Sequence, residues 1–566
     1  MKLDVKLLSS LDKVFPTHAD STMDNTAVML GNEPFSFQTA FCLADGTAPV
    51  SVYTRIESDL PDACISQYKM AYVPVLYVPK GNVDNYMDKE PAGFFPDALL
   101  KRKTNPELSD DGYFSPRKFE SEERNPIEAI TGVWQSLWFT VNEQEQELAP
   151  GTYRITVRFF QAMAQNEELG SVTLTLKVIP ACLPKQTLLY TSWFHCDCLS
   201  DMYDVPMFSD RHFEIIRSYA AVAAAHGMNM ILLPAFTPPL DTPVGKERKT
   251  AQLVGVEKTD KGYVFDFTLL ERFVKLCQSV GITHFEHSHF FTQWGAHHAP
   301  KVMAKVNGVE TRIFGWDTEA LSDEYIGFLK EYLTALLPVL DKLGIRDKFL
   351  FHVSDEPIGG KDGDYAKAYD KLHEYFGGIP SGDALSHYSV YENSGADLPI
   401  VVIDSKDLDQ FHDNCKNYWL YYTGLQAHDG CPNRLTACRA VMNRILGVYL
   451  YLYEAKGFLH WGYNYYYNAL SHGLRNPFLG AYDGSAGTAY LVYPDADGCA
   501  IPSARIKVQY EGFNDFRALC LLESKIGREE TVALIHKHFT KTPMAAPHKN
   551  ETFHAFREEL CQLIAH

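Results

Sequence analysis

Lys348-Phe-Leu-Phe-His-Val-Ser-Asp-Glu-Pro357 is the stretch around which the rest of the chain can be ordered. Its first half, Lys348 to Val353, is apolar and aromatic, the pattern of a strand buried on both faces. Two adjacent carboxylates follow, Asp355 and Glu356, and then Pro357 and Gly359-Gly360. Proline cannot continue a sheet ladder and pushes its predecessor toward extended geometry, so the strand is predicted to finish with the acids at its mouth. The carboxyl end of a buried parallel strand is where α/β enzymes hold their chemistry. An isolated Asp-Glu-Pro is more often a helix cap beside a surface Glu. Its surroundings therefore have to decide.

On either side of this stretch, from residue 187 onward, strand-like runs alternate with helical ones. Leu188–His195, Asn229–Phe236 and Thr283–Phe290 read as three strands, with helices predicted over about 209–226, 267–280 and 321–343, each closed by a glycine. The opening stretch is the fourth strand. Ser386–Tyr391, Pro399–Asp404, Asn417–Thr423 and Phe458–Asn464 read as the fifth to eighth, with a helix over about 364–376 and a long one over about 433–455. Eight such units over about 280 residues match a (β/α)8 TIM barrel. No dinucleotide fingerprint or phosphate loop follows any of the strands.

Upstream, residues 1–186 read as all-β. Pro34–Cys42, Ser51–Ile56, Tyr72–Pro79, Gln135–Val141, Tyr153–Phe159 and Ser171–Val178 are short alternating runs between turns, which predicts an N-terminal β-sandwich. The polar middle, roughly 83–130, reads as an excursion toward the neighbouring domain, with Phe94-Phe-Pro-Asp97 as a candidate lid or rim. Pro180-Ala-Cys-Leu-Pro184 makes a short, tight boundary. The expected division is a sandwich over 1–186, a barrel over 187–500 and a helical segment over 501–566 packed on the barrel.

Charge and cysteine usage narrow the class. Lys and Arg number 52 against 71 Asp and Glu, a net −19, and no basic cluster exceeds Lys101-Arg-Lys103, which excludes a polyanion such as nucleic acid as partner. Asp4 and Lys6 interrupt any apolar export segment, and no run is long enough to span a bilayer. Twelve cysteines spread over 566 residues without paired spacing read as reduced thiols. A cytoplasmic protein with a small-molecule partner and no membrane association is expected. The sequence is silent on oligomeric state.

The predicted strand ends offer Trp193, His195, Phe236, His287, His289, Asp355, Glu356, Tyr391, Glu392, Asp404, Tyr421, Tyr422, Trp461, Tyr463 and Asn464. Carboxylates, rings and amides together suit a carbohydrate pocket: acids transfer protons, rings stack on sugars, amides hold hydroxyls. A two-carboxylate glycosidase places its acids on opposite sides of the bond, about 5–5.5 Å apart for retention and about 6.5–9.5 Å for inversion. The seventh and eighth strands contain no acid. Either Asp404 serves as partner, or the adjacent pair carries the mechanism. Neighbours on a strand face opposite ways, so both enter one pocket only where the strand ends or kinks. Glu356 would then protonate the leaving oxygen, and Asp355 would hold a substrate group that acts as its own nucleophile, as a 2-acetamido group does. Acids this close push their pKa values apart.

These features resemble glycoside hydrolase family 123. The resemblance rests on Phe351-His-Val-Ser-Asp-Glu-Pro357, Tyr418–Thr423, Phe458–Asn464, Pro502–Arg505 with Glu511–Asp515, Trp138–Val141 with Gly151–Tyr153, and Phe94–Leu100. It implies a retaining β-N-acetylgalactosaminidase of substrate-assisted type, with Asp355 orienting the acetamido group and Glu356 as general acid/base. Substrate-binding candidates are Trp193, His195, His287, Tyr391, Asp404, Tyr421, Tyr422, Trp461, Tyr463 and Asn464. Trp461 is expected to stack on the sugar, and Tyr391 or Tyr422 to bond the acetamido oxygen. No cofactor and no metal is expected. Three readings compete: a glycosidase of the same fold for a non-acetamido sugar, a non-catalytic carbohydrate-binding protein, and a metal-dependent hydrolase. In the last, His284, His287 and His289 lie on one predicted strand, His287 and His289 share its face as ligands, and His195, His297 and His298 lie elsewhere.

Overall fold

The structure is a computed structural model that describes residues 2–78, 87–88, 90–102, 127–162, 167–357, 362–385, 387–428, 430–479, 486–539 and 548–566. Gly359 and Gly360 lie outside the described residues, as does the polar stretch 103–126.

The amino-terminal part is a pair of five-stranded sheets. One runs Leu3–Ser9, Phe35–Leu43, Gln135–Val141, Ile65–Val75, Gly93–Arg102 in spatial order and is antiparallel throughout. The other runs Thr26–Leu30, Glu168–Ile179, Gly151–Gln161, Val50–Ser58, Ile127–Ala129, with its first pair parallel. Alternating residues of both, Phe37, Phe41, Phe139, Val157, Phe159 and Leu174, meet in one core, as strands with one buried face require. The segment expected as a lid or rim is part of an edge strand, in which Phe94 stays exposed. Phe95 is buried, and Asp97 receives three hydrogen bonds of 2.9–3.0 Å from Arg505. A carboxylate inside an apolar run reads as exposed until its cation arrives from elsewhere in the chain.

Downstream, eight parallel strands run in ring order. Met230–Leu233, His284–His287 and Phe349–Leu350 form one arc. Gly382–Ala384, Leu398–Val402, Trp419–Tyr421, Gly457–His460 and Leu189–Ser192 form the other. A parallel bridge from Phe351 to Ser381 joins the arcs on one side, and a bond from Asn229 N to Tyr190 O at 3.2 Å joins them on the other. Inside, Met230, Leu232, Leu350, Ile400, Trp419 and Leu459 fill the ring. Trp419 fits because Gly457 opposite has no side chain: a Cβ there would stand 2.4 Å from the indole. Outward-facing residues pack on helices such as Asp323–Leu343, capped by Ser322 and ended by Gly344 at φ 66°.

Two sequence expectations for the ring are corrected. The fifth strand is Gly382–Ala384, not Ser386–Tyr391. Residues Tyr388–Ser394 form a helix, in which Tyr388 and Tyr391, three apart, both pack on Phe411. A three-residue strand of Gly, Asp and Ala carries no β-branched signal, whereas Tyr-Ser-Val-Tyr imitates one. The helix expected over 433–455 is two shorter pieces, Ala440–Arg444 and Leu446–Leu452. Before them, buried Arg434 bonds the carbonyls of Gly462 and Thr488 and holds the chain in a loop. A four-stranded sheet formed by Gly255–Thr259, Gly262–Asp266, Val302–Val306 and Val309–Phe314 is inserted after the second and third ring strands.

The carboxy-terminal helices Ala504–Ile526, Arg528–His538 and Asn550–Ala565 close the molecule. The first is polar in sequence yet largely buried, because its charges pair across to both other parts: Lys507 with Glu143, Glu511 with Ser10, Asp515 with Arg444. Its Gly512 meets Gly447 backbone to backbone; a Cβ on Gly447 would lie 1.7 Å from Gly512 O. No helix among the described residues is long and apolar enough to cross a membrane.

Candidate active site

At the carboxyl ends of the ring strands opens a cavity of about 270 Å³ whose lining includes Asp355, Glu356, Trp193, His195, Tyr421 and Trp461. The fourth strand is short, but its extension is braced by the loop after the third: Phe290 N and Phe291 N donate to His352 O and Val353 O, and Trp294 N donates to Asp355 O at 2.8 Å. Glu356 then adopts φ +42°, a left-handed conformation that a residue with a Cβ rarely takes. That turn lets two consecutive acids line one cavity. Glu356 Oε1 accepts a hydrogen bond from Tyr421 OH at 2.9 Å. Burial, then the neighbouring Glu356 and Asp383, push the Asp355 carboxyl well above its ordinary range, and His352 pulls the other way.

Beneath the pair lies a second set of acids. His352 stands between Glu286 and Asp383: its Nε2 donates to Glu286 Oε2 at 2.9 Å, and its Nδ1 donates to Gly382 O and lies 3.3 Å from Asp383 Oδ1. A carbonyl only accepts, so Nδ1 carries hydrogen, and the carboxylate oxygen at Nε2 favours hydrogen there too, as in an imidazolium. Burial opposes that charge, but Asp383 and Glu286 outweigh it and lift His352 to about 10. The remaining acceptor capacity is taken up by Thr191 Oγ1 and Trp193 Nε1 on Glu286, and by Tyr365 OH and Val353 N on Asp383. His289 stacks on His352 with ring centroids 4.7 Å apart, and burial and the adjacent His352 hold it neutral.

His289, His352 and Asp383 cluster closely enough to surround an ion. As an imidazolium, however, His352 has no lone pair to offer, so this donor set fits a metal only after losing a proton that two carboxyl groups retain. The His287–His289 pair that the competing metal reading requires does not form. His287 shares strand parity with Phe285 and faces outward, where its Nε2 meets Tyr332 OH at 2.8 Å, whereas His289 lies past the strand end and turns inward.

The cavity brings together six of the twelve residues singled out from sequence, and the other six lie elsewhere. Tyr422 faces outward against Phe458 and His460. Tyr463 OH donates to Tyr219 O. Asn464 spends both ends of its amide on the backbone of His195. Asp404 pairs with His428 at 3.2 Å. Tyr391 is on the helix described above, and His287 is behind the strand. Parity explains much of this: on the seventh strand Trp419 and Tyr421 face the ring interior, so Tyr422 cannot.

His195 lines the cavity with its chemistry already committed. Its Nε2 donates to Trp461 O at 2.9 Å, and its Nδ1 accepts from Arg248, which is itself paired with Asp197. Burial and the Arg248 charge push it down to about 4 despite Asp197, so it is a neutral wall residue.

Several lining residues were not singled out from sequence: Asp241, Gln293, Trp294, Thr423, Leu425 and Tyr465. All lie on loops beyond strand ends, where no periodicity marks them. Asp241 Oδ2 accepts from Tyr465 OH at 2.5 Å and Leu470 N at 2.9 Å. Among the described lining residues the acids are Asp241, Asp355 and Glu356; the seventh and eighth strands contribute none.

Residues 193–522 match the family model of the glycoside hydrolase 123 catalytic domain. In fold, the chain is similar to a family 123 glycoside hydrolase from Clostridium perfringens, described for glycolipid glycan hydrolysis. The TM-score is 0.72 and the identity 12%, over 100% of this chain and 97% of that one. A putative β-galactosidase from Bacteroides fragilis aligns at a TM-score of 0.31 and 9% identity, over 86% of this chain and 58% of its own. No curated protein matches the sequence.

Proposed function

The chain belongs to glycoside hydrolase family 123, and from that membership we propose that it is a retaining glycosidase that removes a β-linked 2-acetamido sugar, N-acetylgalactosamine first among them, by substrate-assisted catalysis. We read the ring as a (β/α)8 barrel behind a β-sandwich, divided at about 186 and 500, with the helical segment packed on it. The observation that carries the mechanism is an open pair of consecutive acids at the mouth, facing no carboxylate from the seventh or eighth strand.

In this reading the acetamido oxygen attacks the anomeric carbon while Glu356 gives its proton to the departing oxygen. Asp355 accepts a hydrogen bond from the acetamido N–H. A carboxylate poorly solvated by its surroundings gains its counter-charge only as the cyclic oxazolinium forms, so the interaction strengthens toward the transition state. Glu356, now ionised, takes a proton from the water that opens the ring, and the β configuration returns. Tyr421 positions Glu356, and Trp461 offers a face for the sugar. The Clostridium perfringens relative is described with glycolipid glycans, and a small glycan of that kind is the substrate class we carry to this chain.

A second reading has one observation in its favour. Asp241 also lines the cavity and would supply the distant partner of a two-carboxylate mechanism, open to sugars without an acetamido group. Hydrolysis of aryl 2-acetamido-2-deoxy-β-galactosides with none to three fluorines on the acetyl group separates the two. Substrate assistance predicts a rate that falls steeply with each fluorine, with the β-anomer released first. Rates indifferent to fluorine, with ready cleavage of the 2-hydroxy galactoside, would transfer the reaction to Asp241.

A further inference from the structure

Trp461 offers a steady face to a sugar only if the backbone beneath it is held, and a buried histidine holds it. His195 Nε2 lies 2.9 Å from Trp461 O, and its Nδ1 lies 3.2 Å from Arg248 Nη2. A carbonyl only accepts and a guanidinium only donates, so the ring is neutral with its hydrogen on Nε2. The other neutral form would turn a lone pair toward the carbonyl and a hydrogen toward the Arg248 cation.

The same guanidinium reaches further. Its Nε and Nη2 donate to the two oxygens of Asp197 at 2.8 and 2.9 Å, and its Nη1 donates to Leu240 O at 2.9 Å. Its carbon stands 5.5 Å from the ring centre of Tyr465 and 5.6 Å from that of Tyr467. These partners follow the first, second and eighth ring strands. One side chain therefore ties three loops that supply His195, Leu240, Trp461 and Tyr465 to the cavity lining. Arg248 and Asp197 are both buried, where a two-pronged ion pair holds its geometry and the loss of one partner strands the other charge. The titratable groups that face this pair and His195 are Tyr465, Tyr467 and Cys198, and burial keeps all three protonated.

We propose that Arg248 is a positioning residue for the sugar platform: paired with Asp197, it locks His195 in the tautomer that fixes the backbone of Trp461. This rests on the reading of Trp461 as the face for the sugar.

The test needs a variant that unlocks the ring without stranding a charge. Arg248→Met combined with Asp197→Leu does so, since apolar side chains of similar size replace a buried ion pair at little cost in stability. Imidazole nitrogen NMR spectra of the full chain read the tautomer, with the His195 signal identified by its loss in His195→Gln. The wild type is expected to carry hydrogen on Nε2 alone, and the double variant to show a mixture of both forms. On an aryl 2-acetamido-2-deoxy-β-galactoside the double variant should raise KM about tenfold and leave kcat within about threefold, as the loss of a contact made equally in ground and transition states does. Arg248→Met alone leaves the upward pull of Asp197 on His195 unopposed, so the ring should gain its proton well above the wild-type value of about 4. An imidazolium again donates to Trp461 O, so KM of this single variant should fall back as pH is lowered.

A double variant with hydrogen still on Nε2 alone would overturn the lock. So would a loss of kcat with KM unchanged, which marks a pair that serves only folding. Should Arg248→Met not fold, the double variant decides. If the wild type does not cleave the galactosaminide, the proposed function fails, and the spectra uphold or overturn the lock by themselves.

Discussion

Two groups of acids sit one above the other in this molecule, and they differ in what is left to bond. In the lower group, Glu286 and Asp383 hold an imidazolium between them, and their oxygens also receive Thr191, Trp193, Tyr365 and a backbone N–H. In the upper group, Asp355 and Glu356 share a cavity, and among the described residues Tyr421 donates to Glu356. Both groups are carboxylates at or near strand ends, with a charged neighbour. The closed group has used its capacity on the protein and serves structure. The open group keeps capacity for a substrate. Residue type marks both, and completion of bonding separates them.

The largest test breaks the upper group. Glu356→Gln is expected to cost about 10²–10⁴ in kcat on substrates with poor leaving groups and much less on good ones, with thermal stability unchanged. Asp355→Asn should slow all of them alike. If both variants keep their activity, the open pair is as structural as the one below it.

Breaking the lower group should read out in stability. His352→Gln leaves two buried acids without their cation and is expected to cost about 3–5 kcal/mol by urea unfolding. The linkage has a definite sign. His352 titrates higher folded, about 10, than its ordinary 6.5, so its contribution is complete below pH 6.5 and is lost as pH rises through 10. Wild type should lose stability relative to the variant across that window. A parallel pair of curves would mean the ring is neutral.

Asp355 has the opposite sign. Its carboxyl is raised in the fold, so its ionisation weakens the native state increasingly as pH rises above the ordinary carboxyl value. Asp355→Asn removes that charge and should gain about 0.5–2 kcal/mol at neutral pH while losing activity. A variant that is less stable would show Asp355 to be a structural acid. The smallest effect is expected from Tyr421→Phe, which removes one hydrogen bond to Glu356, worth about 0.5–1.5 kcal/mol. A severalfold drop in kcat with a shifted acidic or basic limb would show that Tyr421 tunes the proton donor.

Much of this arrangement was legible beforehand. Seven of the eight ring strands announce themselves by apolar runs, and the eighth, Gly382–Ala384, hides because its stability comes from Asp383 bonding His352 and Tyr365 rather than from side-chain pattern. Asp355 and Glu356 could be placed at the mouth from Pro357 and the order of strands. Strand parity, applied more strictly, would have set aside His287 and Tyr422 and drawn attention to Glu286 and His352, which share the inward face with Leu350 and Thr191. Asp241, Trp294 and Leu425 carried no such mark.

What the linear chain could decide was whatever repeats with the period of the backbone: two sheets, a ring of parallel strands, and two acids where the fourth strand stops. What only folding decided was which polar groups would find one another. Asp97 with Arg505, Glu33 with Arg557 and Glu286 with His352 are pairs separated by hundreds or tens of residues, and no local pattern encodes a partner at that distance. A carboxylate becomes structural or reactive according to whether such a partner arrives. For Asp355 and Glu356 the left-handed turn at Glu356 keeps them facing the cavity.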